Sequence, residues 1–181
     1  NSIVVLGPVI WTIMASFKKG NNLFSSTFSG IEFTFEHYVT LFTDTPYMQW
    51  YLNTFILATA NMLISLVVVT MTAYVFSRYR FRGKRNTLMS ILVLQMFPAF
   101  LSMTAIYILL SKANLIDTYT GLLLVYVTGS LPFMTWLVKG YFDAIPTSLD
   151  EAAKIDGAGH LTIFIQIILP LAKPILVFVG L

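Results

Sequence analysis

Residues 53–76 read NTFILATANMLISLVVVTMTAYVF without one charged side chain, and residues 87–110, TLMSILVLQMFPAFLSMTAIYILL, do the same. As helices these runs are each about 36 Å long, enough to cross ~30 Å of hydrocarbon. In lipid every backbone N–H and C=O must find a partner within the protein, which leaves helices or closed barrels. The alternation of a barrel strand is absent from both runs. A third run of this kind covers 120–138. Residues 3–17 read as the end of a span, and another span begins near Pro174.

Composition agrees. The chain is 57% hydrophobic and 10% charged, where soluble domains carry about 25% charged residues. So few charges cannot cover a soluble surface of 181 residues. A net charge of +3 is too small and too localised to indicate nucleic acid. The absence of cysteine rules out disulfides, thiolate metal sites and cysteine nucleophiles in this chain. The expected fold is all-α, a polytopic transmembrane helical bundle. Both ends fall within apolar runs, so the chain is expected to be truncated at both ends.

Orientation follows from SRYRFRGKRN, residues 77–86, which holds five of the eleven Lys and Arg residues and no acid. The positive-inside rule places this loop in the cytoplasm. Alternation then puts residues 18–52 and 111–119 outside and the loop 139–173 inside. Lys18 and Lys19 fall outside, against the rule, but two charges are outweighed by five. Tyr47, Trp50 and Tyr51 suit the outer interface, and Trp136 and Tyr141 the inner one.

Segments 53–76, 87–110 and 120–138 contain no Asp, Glu, Lys, Arg or His. Ion-coupled carriers and proton pumps usually hold such groups at membrane depth. Neutral polar residues do occur, and in order. Thr54, Asn61, Ser65 and Thr72 share one face of the first long span. Gln95, Pro98 and Ser102 make a similar face in the next span, where Pro98 is expected to kink the helix. Tyr126, Thr128, Ser130 and Pro132 do likewise in the third. Such faces either pack helices together or line a path for a polar solute.

The charged turn stands apart. Residues 146–157, PTSLDEAAKIDG, predict a short helix. Ser148 and Glu151 have the spacing of a capping box. Asp150 and Glu151 in the first turn suit the helix dipole, and Gly157 falls where a left-handed C-cap is needed. Ala152 and Ala153 offer small side chains beside a carboxylate, suited to close approach by another protein. A second helix, LTIFIQIIL, carries the apolar stripe Leu161, Phe164, Ile165 and Ile168 and is stopped or kinked by Pro170. Two short helices joined by a glycine turn form a lever between a soluble partner and a membrane domain. His37 and His160 are expected to be solvated or interfacial. No catalytic set, no metal-ligand cluster and no G-x-x-x-x-G-K-[ST] loop is present in the sequence.

Glu151, Ala152 and Ala153, followed by Gly157, Ile167, Leu169 and Pro170, resemble the E-A-A…G…I-x-L-P pattern of binding-protein-dependent ABC importer permeases. The flanking stretches AYVFSRYRFRGKR, PFMTWLVKGYFDAIPTSLDEAAKIDGA and LPLAKPI look like the sugar branch, near the MalG-like permeases of maltose and maltodextrin importers. The resemblance covers most of residues 35–181. It implies a type I importer (MetI-like) permease fold. The division is then a partial first span at 1–17, an extracytoplasmic loop at 18–52, and a partial transmembrane domain at 53–181 with a coupling loop at 144–171. It further implies a bacterial plasma-membrane subunit, not itself an enzyme and with no cofactor of its own. Its partners would be a second homologous permease, a cytoplasmic ATPase dimer that uses the ATP, an extracytoplasmic sugar-binding protein, and lipid. Glu151, Ala152, Ala153 and Gly157 would dock on the ATPase, with Ile167, Leu169 and Pro170 closing the motif. The solute would be a maltodextrin or related oligosaccharide; an amino acid or phosphate is the alternative within the class, and an ion-coupled carrier the alternative outside it.

Overall fold

The computed structural model describes residues 2–19, 33–96 and 99–181. Among them the regular elements are helical. The chain divides into two compact units, Asn1–Phe55 and Ile56–Leu181.

In the first unit, α1 (Ser2–Ser16) is followed after the undescribed stretch by α2 (Glu36–Thr43). The region read as a loop thus contains a helix. Their junction is tied by backbone and side chains. The Thr34 N–H donates to Phe17 O at 2.8 Å, His37 Nε2 lies 2.9 Å from Lys18 O, and Ser16 Oγ pairs with the Tyr38 hydroxyl at 2.7 Å. Phe17 stacks edge-on against Phe35, with ring centres 5.5 Å apart. His37 is therefore a structural tether.

Helix α3 (Tyr47–Arg78) starts in the first unit and runs into the second. It begins six residues before the apolar run, because Tyr47, Trp50 and Tyr51 continue the helix into the interface rather than ending it. Its 32 residues and the 26 of α6 (Tyr119–Ala144) make these the two described helices long and apolar enough to cross a membrane. The run 87–110 falls in two helices, α4 (Lys84–Gln95) and α5 (Ala99–Lys112). The Pro98 kink lies outside the described residues. Gly83 precedes α4 as its N-cap at φ +88°, a left-handed turn that glycine takes without strain.

The turn into α6 depends on a cap the sequence reading overlooked. Thr118 Oγ1 accepts the Gly121 N–H at 3.1 Å, after Asn114 and Asp117 take left-handed backbone conformations. Gly121 packs so closely that a Cβ there would stand 2.1 Å from the Leu115 carbonyl oxygen.

After α6 come α7 (Ser148–Ile155), α8 (His160–Ile163), a π-helical turn (Phe164–Ile168), α9 (Leu169–Leu171) and α10 (Lys173–Gly180). The segment His160–Leu171 and α10 meet at 76°. The bend falls at Ala172, which is fully buried, rather than at Pro170. Pro170 sits inside α9, just after the π turn. Its ring would press on the carbonyl four residues back, at Gln166, and the wider π turn relieves that contact.

The π turn also changes which residues face inward. Ile163, Phe164, Ile168 and Ala172 are buried, while Leu161 and Ile165 of the expected stripe are exposed at 66% and 51%. Phe164 and Ile168 of that stripe thus face inward as expected, and Ile163 and Ala172 join them. These residues pack with Val69, Ala73 and Tyr74 of α3 and Val138, Phe142 and Ile145 at the end of α6. The core thus gathers at the end of the bundle that carries the charged turn. Elsewhere the long helices present apolar side chains outward, Leu63 and Val67 among them, the surface that lipid or other membrane helices cover.

Candidate functional site

Helix α7 sits where α3 and α6 both end. Pro146, with its fixed φ, begins the turn: its carbonyl accepts the Leu149 N–H at 3.3 Å, and Thr147 O accepts the Glu151 N–H at 3.1 Å. Thr147 is the N-cap and makes no side-chain bond. The expected Ser148–Glu151 capping box is therefore not formed; Ser148 is already inside the helix. The far end matches expectation. Gly157 adopts φ +85°, the Gly157 N–H bonds Lys154 O at 3.0 Å, and the Ala158 N–H bonds Ala153 O at 2.9 Å. This crossed pair is the Schellman C-cap, which needs a left-handed residue.

The rotation of α7 is set by Asp150. Its side chain is 8% exposed, and Oδ2 lies 2.8 Å from Arg78 Nε, whose own side chain is 7% exposed. The contact is an ion pair rather than an aligned hydrogen bond, and Asp150 Oδ1 meets no donor among the described residues. The rest of the Arg78 guanidinium turns to α6. Nη1 donates to Phe142 O at 3.1 Å and Nη2 to Ile145 O at 3.0 Å. Those carbonyls sit at the C-terminus of α6, the negative end of its dipole. One arginine at the last residue of α3 thus binds the last turn of α6 and the first turn of α7. Beside it, Ser77 Oγ donates to Asp143 Oδ1 at 2.7 Å, and Lys139 pairs with the same carboxylate.

With Asp150 inward, α7 shows an inverted pattern. Asp150 is buried while the apolar side chains look out beside the exposed Glu151 and Lys154: Leu149 is 41% exposed and Ile155 87%. Ala152, between them in the i, i+3, i+6 row, is also exposed. Glu151 is exposed beside this row, whereas Ala153 turns inward against the core. The two alanines, read as one small-residue surface, therefore serve different sides. Ile167 and Leu169 pack on the core, and Pro170 is exposed. On the other flank the Tyr74 hydroxyl donates to His160 O at 3.4 Å, the Tyr74 and Phe164 rings lie 4.8 Å apart, and His160 sits against Tyr79. His160 is an interfacial packing residue.

The polar face of α3 is partly brought together. Ser65 Oγ lies 3.5 Å from Asn61 Oδ1 and 3.4 Å from Ser130 Oγ of α6, a polar seam between the two long helices. Thr54 back-bonds to Trp50 O, and Thr72 is half-buried. In α4 Gln95 is exposed, and in α5 Ser102 is half-buried. Arg78 and Asp150 were not singled out as partners by sequence reasoning. They lie far apart in the chain, and no periodicity joins a loop arginine to a turn aspartate.

Two helices long and apolar enough to cross a membrane, among the described residues of an all-helical unit, define a membrane-embedded protein. Residues 67–180 match the family described as "Binding-protein-dependent transport system inner membrane component". The chain belongs to that family. It is 44% identical to the maltodextrin transport system permease protein MdxG of Bacillus subtilis, over 97% of this chain and 63% of that protein. It is 43% identical to the galactooligosaccharides transport system permease protein GanQ of the same organism, over 99% of this chain and 64% of that one. The fold is similar, with a TM-score of 0.84 and 26% identity, to a chain in the crystal structure of a bacterial ABC transporter involved in the import of the acidic polysaccharide alginate. That match covers 99% of this chain and 63% of the other. The chain thus spans just under two thirds of the length of these relatives.

Proposed function

We propose that the chain is part of a permease subunit of an ATP-binding-cassette importer that carries a maltodextrin or related oligosaccharide by alternating access. In this reading α7 docks on a cytoplasmic ATPase subunit, and Glu151, Ala152 and Gly157 belong to the docking element. ATP is hydrolysed by that partner. A second homologous permease would complete the pathway, and an extracytoplasmic binding protein would deliver the sugar. The loops 77–86 and 139–173 would both face the cytoplasm.

The observation that carries the reading is the reversed face of α7. A helix that hides an aspartate and shows Leu149, Ala152 and Ile155 offers an apolar row for another surface to cover. At eight residues it is also too short to persist unaided. The sugar assignment leans on relatives whose printed functions concern maltodextrin and galactooligosaccharides. The energetic requirement is differential: the ATP-bound partner must favour the outward-open arrangement over the inward-open one.

The test uses the full-length subunit with its transport partners in membrane vesicles. Labelled maltodextrin uptake is compared for the wild type and Glu151→Ala at equal subunit levels. ATP-dependent uptake that is lost in the variant supports both solute class and docking role. Unchanged uptake in Glu151→Ala removes Glu151 from the docking surface. No maltodextrin uptake, with ATP hydrolysis stimulated by a different binding protein, keeps the importer and discards the sugar.

A further inference from the structure

We infer that Arg78 is a positioning residue that makes α7 move as one body with the ends of α3 and α6, so that displacement of the docking helix reaches both long helices together. The inference rests on the docking role proposed for α7. Its basis is the geometry of one guanidinium shared by three elements. Nε faces Asp150 Oδ2 of α7 at 2.8 Å, and Nη1 and Nη2 hold Phe142 O and Ile145 O of α6 at 3.1 and 3.0 Å. The Arg78 and Asp150 side chains are 7% and 8% exposed, so water screens the pair little. Asp150 Oδ1 has no donor among the described residues, which leaves the carboxylate dependent on Arg78.

Other links between α7 and the bundle are weaker or less direct. Ala153 offers a single methyl to the core, and the Gly157 turn joins α7 to α8 by backbone alone. The peptide between α6 and α7 is short, with Pro146 fixing its own φ and Ile145 held extended, so the freedom that remains is a pivot about the bonds that follow Pro146. The arginine fork closes that pivot, because it grips the carbonyls on one side and the carboxylate on the other. A lysine would keep the charge and lose the fork.

The experiment reconstitutes the full-length subunit, its partner permease, the ATPase and the binding protein in vesicles. Sugar taken up and ATP hydrolysed are measured for Arg78→Lys, Arg78→Gln, Asp150→Asn and the Arg78→Gln/Asp150→Asn double variant. Parallel samples of each background carry Ser148→Cys, an exposed position of α7 outside the apolar row, used to cross-link α7 to a cysteine on the ATPase. The expected result is cross-linking as in the Arg78 protein and continued ATP hydrolysis, with uptake per ATP lowered about tenfold. The double variant loses no more than the worse single, because both changes open the same clasp.

Unchanged uptake per ATP in Arg78→Lys and Asp150→Asn overturns the inference. So do losses that multiply in the double variant. If Arg78→Gln fails to accumulate, Arg78→Lys decides the outcome. If the cross-link is absent even with Arg78 in place, the docking role of α7 fails instead. The clasp is then judged by amide exchange across α7 in the purified subunit. Faster exchange in Arg78→Lys supports it, and equal exchange overturns it.

Discussion

At Gly157 the backbone holds φ +85°, and a Cβ placed there meets nothing within 4 Å. Space is available, so the whole cost of a side chain is backbone strain, about 1–2 kcal/mol for an L-residue in the left-handed region. Gly157→Val is expected to loosen the end of α7 and lower coupled ATP hydrolysis and uptake, while immunoblots show normal membrane levels. Gly121 is the opposite case. A Cβ there stands 2.1 Å from Leu115 O, a backbone atom that cannot rotate aside. Gly121→Ala is expected to cost roughly 1–3 kcal/mol and to lower the melting temperature of the detergent-purified subunit. Only the first of these glycines was legible in the sequence. A C-cap is a local property, read from the residues that precede it. The demand on Gly121 comes from the turn through Asn114 and Asp117, which folds Leu115 back over the helix start.

Among the elements, α7 departs most from its sequence reading. Its C-cap was readable from Gly157, and its start to within one residue from Pro146 and the acidic first turn. Its orientation was not, because a buried aspartate and an exposed isoleucine invert the usual assignment of faces. Ile155, 87% exposed, is the clearest test. Ile155→Asp is expected to change subunit stability by no more than ~0.5 kcal/mol, since it touches little. Co-purification of the ATPase should fall about tenfold or more if the apolar row is the docking surface. Retention of the ATPase at the wild-type level would count against that surface. The segment after Gly159 teaches a related lesson. Its apolar stripe was assigned on a 3.6-residue period; Phe164 and Ile168 of it are buried, but Leu161 faces out ahead of the π turn and Ile165 faces out within it. Periodicity predicts a face only while the helix keeps its pitch.

For the molecule as a whole, length and apolarity were decisive. The Arg80, Lys84 and Arg85 side chains line an open groove of about 500 Å³ with Trp136 of α6, and the positive-inside rule predicts that these cations face the cytoplasm. Because this chain has no cysteine, single introduced cysteines can report orientation. Arg82→Cys is expected to react with an impermeant thiol reagent only from the cytoplasmic side, and Asp44→Cys only from the other side. The reverse pattern would invert the assigned topology. The sequence by itself determined that the chain spans a membrane as helices, since a backbone in lipid must form helices or a closed barrel and runs like 53–76 lack the alternation of a barrel strand. It also determined the family pattern and the C-cap, which reside in neighbouring residues. Only the tertiary structure decided which face of α7 is hidden and which residue holds it. The Arg78–Asp150 pair joins positions 72 apart in sequence, and such a contact exists only once α3, α6 and α7 have met.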